Sequence, residues 1–398
     1  MPSDPPIGPR KPGWRPTNRP AARGPGFADP SPSLPEGPPI GCIRCAPADS
    51  GDPAAPLGAA SPCGQSVVPP ASAAPHGAPP RSLRLLISPL CSFFRLRLVA
   101  GLAISFACLW LLLHGLPVGD WLGGLSGRHP AWVLIAVLAA GAAVLVRGWR
   151  WGCLMRAAVP QVAAQACLGP YLAGSAVNNV LPARAGDLWR LLAVPGGARR
   201  ILGTLALERG LDVAGVLCLG AVGVTVLGLA WWPIAMGMAT IAVIGLGVTL
   251  GLAERWATPL RQRSRRSDRV GAICGVAAPV LAAMRDARRR RQLHPAIALT
   301  CIAWLVEGSA FAALAAGLGL CLGSAGAITT CAAATLTTMV PAAPGHVGTF
   351  HLGAATGAGW AGATAAQGTA LALSIHAVLW ITTTSMGLGW LAWSARRR

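Results

Sequence analysis

The chain has 398 residues, is 53% hydrophobic and only 12% charged, and has a mean hydropathy of +0.54. This excludes a soluble globule and fits a chain that crosses a bilayer several times. Its net charge of +20 comes from arginine, because Lys11 is the only lysine, so Schiff-base, phosphate-loop and lysine general-base chemistry are excluded.

Residues 1–80 hold 22 of the 35 prolines, with Gly, Ser and Ala between them. Such a stretch cannot bury a core and is expected to be disordered. It starts basic but has no apolar run of the kind a secretory signal needs, and a translation start placed too early is an alternative origin for it. Residues 81–398 form the membrane domain. Continuous apolar spans are predicted near 96–115, 130–146, 211–230, 233–252, 295–316 and 366–393, each approaching the ~20 residues needed to cross hydrocarbon. The Arg147-Gly148-Trp149-Arg150-Trp151 run after the second span reads as an aromatic belt with a basic anchor.

Two further apolar segments, 160–194 and 325–361, are interrupted in the same manner. The first carries Asn178-Asn179-Val180-Leu181-Pro182-Ala183-Arg184-Ala185-Gly186. The second carries Thr337-Thr338-Met339-Val340-Pro341-Ala342-Ala343-Pro344-Gly345. Each has a polar pair, two apolar residues, Pro-Ala, and Gly four positions after the first Pro. Proline removes a backbone donor and glycine allows unusual dihedrals, so both helices are expected to break, with Pro182, Gly186, Pro341, Pro344, Gly345 and Gly348 as hinges. Broken backbone at membrane depth is tolerated only against protein or a watery cavity, and paired interruptions in two halves point to a transporter's binding site.

Arginine placement orients the chain. Arg81, Arg84, Arg95 and Arg97 precede the first span, Arg147, Arg150 and Arg156 follow the second, and Arg396-Arg397-Arg398 end the chain. Residues 254–292 carry eleven arginines against Glu254, Asp268 and Asp286. Both termini and this linker are therefore expected to be cytoplasmic, which makes 160–194 and 325–361 re-entrant from opposite faces. The alternative is eight spans with both segments crossing. Within the linker, Val270, Ile273, Val276, Val280, Leu281 and Met284 suggest an apolar stripe at the membrane interface, and a solvated loop is the other reading. Because the arginines flank apolar segments, membrane lipids and not nucleic acid are the expected partner.

Past residue 80 there are eight acidic residues, and Asp187, Glu208, Asp212 and Glu307 lie in or beside apolar segments. Ionisable groups there are costly and mark functional sites by default. Glu208 and Asp212 share a helix face and need cations; Arg184, Arg190 and Arg209 are at hand. These residues with Asp187 are expected to form one ionic cluster, either presenting an arginine to lipid phosphate or tying a hairpin to a helix. Glu307 must stay protonated or meet an arginine from the first half. His346 and His351, beside the second break, suit a polar cavity lining better than a metal, because no acid or cysteine accompanies them. Cys42 and Cys45 form a lone CxxC, too little for zinc, and no metal or cofactor is expected. No catalytic signature is found, so an enzyme is not expected.

Read together, Asn179 to Arg190 (N-x-L-P-x-R-x-G-D-x-x-R), Glu208 to Asp212 (E-R-x-x-D), Trp304 to Glu307 (W-x-x-E) and Pro341 to Phe350 (P-x-x-P-G-x-x-G-x-F) resemble the lysylphosphatidylglycerol synthase transmembrane region family, also called flippase-like. The resemblance spans roughly residues 95–393. The family often has Glu where this chain has His351. Its synthases append a cytosolic aminoacyltransferase domain, whereas this chain ends four residues past Ser394, so aminoacyl-lipid synthesis is not implied. The resulting expectation is an all-α polytopic bacterial inner-membrane protein of six to eight spans, built as two inverted halves with two re-entrant broken segments. It would bind and translocate an anionic or isoprenoid-linked lipid, with Asn178, Asn179, Arg184 and Arg209 at the headgroup. The runner-up is an accessory subunit presenting lipid to a partner lipid-modifying enzyme, and an intramembrane transferase is third.

Overall fold

The computed structural model describes residues 98–114, 116, 117, 119, 129–181, 184–194, 197–266 and 268–397. The Pro-rich segment 1–80, Arg81, Arg84, Arg95, Arg97 and the hinge residue Pro182 lie outside them. Described in chain order are α1 (Leu98–Leu113), α2 (Pro130–Ala158), α3 (Leu168–Val180), α4 (Ala185–Ala193), α5 (Ala198–Val226), α6 (Trp232–Arg263), α7 (Arg269–Arg289), α8 (Leu293–Gly317), α9 (Gly323–Thr337), α10 (Thr349–Trp360) and α11 (Ala365–Arg396). Single 3-10 turns precede α3 (Ala164–Cys167) and α10 (Pro344–His346). The protein is all-α and polytopic: six of these helices, α2, α5, α6, α7, α8 and α11, are long and apolar enough to cross a membrane.

The two interrupted segments form helical hairpins. Helices α3, α9 and α10 have 13, 15 and 12 residues, or ~18–22 Å, too short to cross ~30 Å of hydrocarbon. The legs of each hairpin pack on one another, and glycine permits that approach. A Cβ on Gly186 would collide with the Gly174 carbonyl, and one on Gly353 would lie 2.6 Å from the Ala333 carbonyl. Asn178 staples the first hairpin, its Oδ1 accepting the Gly186 N–H at 2.8 Å and its Nδ2 donating to Asp187 at 3.3 Å.

The halves are joined reciprocally. Helices α2 and α8 form the central pair, α3 packs on α11 of the other half, and α9 packs on α5. The hairpin tips meet: the indole N–H of Trp380 donates to the Asn179 carbonyl at 3.4 Å, and Gly345 lies beside both residues. Each hairpin thus packs against a long helix of the other half.

Among the described residues helix α1 has 16 residues, the positions 96, 97 and 115 of the expected span lying outside them, and it packs against the second break, where Ser105 Oγ accepts the Ala343 N–H at 2.8 Å. Two elements differ from their expected form. Helix α2 does not end at residue 146 but runs through the Arg/Trp motif to Ala158, because its arginines are neutralised inside the protein. In the linker, α7 folds back along the last turns of α6 and the first turns of α5: Arg285 donates to Thr258, Arg289 pairs with Glu254, and Arg199 donates to the Gly275 carbonyl. Its expected stripe is divided. Met284 is buried and Val280 and Leu281 are half-buried, but Val270, Ile273 and Val276 are exposed, and the inner face consists of Gly271, Cys274, Ala278, Ala283 and Ala287. Small residues win that face because α5 comes close, with Gly203 against the Val280 carbonyl.

Candidate functional site

Between the hairpin tips and the α2–α5–α8 core lies a cavity of about 720 Å³. Its wall is built from every part of the repeat: Arg147 on α2, Tyr171, Ser175 and Asn178 on α3, Arg184 in the first break, Arg209 and Asp212 on α5, Trp304 and Glu307 on α8, Thr338 to His346 through the second break, and Thr383 on α11.

The ionic cluster forms the floor of this cavity and continues behind it. Arg150 is fully buried. Its guanidinium donates to both carboxylate oxygens of Asp212 (2.6 and 3.0 Å), to Glu208 (3.3 Å) and to the Thr300 hydroxyl (3.0 Å). Arg190 donates to Glu208 at 2.5 Å, lies 3.6 Å from Asp187, and stacks over the Trp151 ring at 4.1 Å and the Tyr171 ring at 4.8 Å. Arg209 holds both oxygens of Asp187 at 3.2 Å. Arg147 pairs with Glu307 and lies 4.6 Å over Trp304. Bidentate and stacked geometry suits arginine and would not survive exchange for lysine. Buried charge persists in hydrocarbon only when paired in this way.

Of the expected binding residues, Asn178, Arg184, Arg209, Asp212, Glu307 and His346 line the cavity, together with the hinge residues Pro341, Pro344 and Gly345. Asp187, Arg190 and Glu208 stand behind them, Asp187 holding Arg209 and Glu208 holding Arg190. Asn179 turns away: its amide donates to Thr384 Oγ1 at 3.0 Å and fastens the first hairpin to α11, beside a smaller cavity of about 140 Å³. Gly186 and Gly348 shape the hairpins without lining the cavity. The alternatives for Glu307 resolve to a partner from the first half, Arg147. The site also contains Arg147 and Arg150, which the sequence placed at a membrane boundary. In that motif only Trp149 faces outward, 44% exposed, while Trp151 is fully buried.

Both hairpin tips are locally strained. Arg184 (φ 55°) and His346 (φ 59°) are non-glycine residues in the left-handed region, and both line the cavity. Such conformations cost about 1–3 kcal/mol each and concentrate at functional sites. Gly345 (φ 70°) and Gly348 (φ 92°) carry the rest of the second turn, where glycine is unstrained. His351 serves the fold instead. Its Nδ1 accepts the Gly348 N–H at 3.1 Å, closing the first turn of α10 as a capping acid would.

Three guanidinium groups (Arg147, Arg184, Arg209) and two carboxylates (Asp212, Glu307) line the cavity, so its lining carries one net positive charge. A net-positive chamber lined by arginine, asparagine and threonine side chains is suited to a phosphate-bearing group. No curated protein matches the chain. A family model does, over residues 98–387, from α1 to near the end of α11. The chain belongs to the family of the lysylphosphatidylglycerol synthase TM region.

Proposed function

We propose that the protein binds a phosphate-bearing lipid, a phospholipid or an isoprenoid-linked phosphate, by its headgroup in the central cavity and passes it across the bacterial inner membrane. The supporting observation is the net-positive cavity walled by the broken turns of both hairpins. A headgroup is the part of a lipid that cannot cross hydrocarbon unaided, and opposed hairpins offer it polar backbone and arginine at mid-depth. In this reading Arg184 and Arg209 bind the phosphate, Asp187 orients Arg209, and the buried cluster behind them fixes α2, α5 and α8 as a rigid base. Both termini and the 254–292 linker lie on the cytoplasmic side, as the arginine distribution favours. The protein works as a carrier and not as an enzyme.

The test compares Arg184→Lys, Arg209→Lys and Arg265→Lys. Lysine keeps the charge and loses the fork. The first two variants are expected to insert and purify normally but to lose co-purified anionic lipid by native mass spectrometry and to slow lipid transfer in vesicles. Arg265, exposed at the end of α6, acts only through the surface potential, ~1 kcal/mol per residue, and its exchange should be silent. Equal behaviour of all three variants would overturn the assignment.

A further inference from the structure

The seam between α5 and α6 holds a second cavity, of about 350 Å³. Arg209 and Val213 line both it and the central cavity. Apart from Arg209 and Thr249, its walls are apolar side chains and Gly210. The Thr249 hydroxyl is already used, donating to the Gly245 carbonyl at 2.7 Å inside α6. Arg209, which lines both spaces, turns its guanidinium to Asp187. Gly210 opens the groove from the α5 side. A Cβ there would meet only the flexible end of Leu246, at 3.1 Å. Helix α6 is the most exposed of the long apolar helices, with 11% of its apolar window buried, and Ile241, Ile244 and Val248 face outward beside the groove. The groove is therefore apolar and peripheral, and it shares Arg209 and Val213 with the polar chamber.

We propose that this α5–α6 groove seats a hydrocarbon chain of the lipid whose phosphate occupies the central cavity. The inference rests on reading that cavity as a headgroup site. An amphipathic ligand needs an apolar path leading directly from its polar site, and the shared wall at Arg209 and Val213 supplies it. The same seam provides an internal control. A third cavity of about 320 Å³, lined by Leu217, Val224, Ala235 and Met238 among others, shares no lining residue with the polar chamber and should not take part.

The test measures binding of dioleoyl phosphatidylglycerol to the purified full chain in detergent micelles, for wild type, Gly210→Leu, Ala242→Phe, Ala235→Phe and Arg184→Lys. Gly210→Leu fills the groove from α5 and Ala242→Phe fills it from α6, so the result does not hang on one variant folding. Each fill is expected to weaken binding about tenfold, the loss for roughly two displaced methylenes, while Ala235→Phe binds as wild type does. If both fills bind as wild type while Arg184→Lys binds weakly, the headgroup site stands and the chain seat is refuted. If Ala235→Phe weakens binding as much as the fills, the seat is likewise refuted. Wild-type affinity in Arg184→Lys, or no binding by wild type, overturns the headgroup site and the seat with it.

Discussion

Arg150→Met is expected to be among the most destabilising single changes in the membrane domain. The guanidinium it removes makes four hydrogen bonds inside the protein, two to Asp212, one to Glu208 and one to Thr300. Glu208 keeps Arg190 at 2.5 Å, but Asp212 has no other ion pair among the described residues. Its carboxylate is then left at the cavity wall without its hydrogen-bonded guanidinium, with only the more distant Arg147 and Arg209 to offset its charge. Breaking a buried pair from one side costs about 3–5 kcal/mol, against a total stability of about 5–15 kcal/mol. Replacing the pair itself by packed apolar residues is far less costly, so Arg150→Met with Asp212→Leu should be more stable than Arg150→Met alone. SDS-titrated unfolding of the purified protein, followed by tryptophan fluorescence, gives both values. A single-variant loss below about 1 kcal/mol, or a double variant less stable than the single one, would refute the reasoning.

Three further outcomes are expected. Gly186→Ala should abolish the monodisperse folded peak in size-exclusion chromatography, because its Cβ collides with the Gly174 carbonyl; Gly245→Ala on α6, with nothing within 4 Å, should be neutral or stabilising by up to about 1 kcal/mol. Glu307→Gln removes one of two carboxylates lining the cavity and should raise the amount of anionic lipid that co-purifies, read by native mass spectrometry. Arg265→Cys in a cysteine-free background should resist impermeant thiol reagents in intact cells, and labelling from outside would invert the proposed topology.

The hairpins were legible because their signal is local: Pro, Gly and a polar pair interrupt an apolar run, and the backbone answers within a few residues. Most of the ionic cluster was legible for a similar reason, since a carboxylate in an apolar helix needs a cation wherever the fold finds one. Arg147 and Arg150 were not. An arginine after seventeen apolar residues ordinarily marks the exit from hydrocarbon, and what turns these two inward are acids 58 to 62 residues further on in α5, and Glu307 in α8. Only tertiary pairing carries that information. The same holds for the inner face of α7, which the stripe expected at the membrane interface did not disclose. Close approach of α5 selected glycine and alanine there, leaving Val270, Ile273 and Val276 outside.

The cross-braced arginines of α2 bear on how the chain is made. Helix α2 leaves the ribosome well before α5, and Thr300 is 150 residues later than Arg150. Until α5 is made, Arg147 and Arg150 have none of their eventual acidic partners, and each would cost roughly 2.5–3.5 kcal/mol at the bilayer centre. The apolar first seventeen residues of α2 can enter hydrocarbon at once, but its arginine-bearing end must wait near the headgroups, with the long side chains reaching for water. Arrival of Glu208 and Asp212 then draws that end inward. Assembly is therefore expected in two acts, insertion of α2 followed by its settling against α5, and site-directed labelling of a nascent chain halted before Ala198 should find the end of α2 nearer the headgroups than in the full chain.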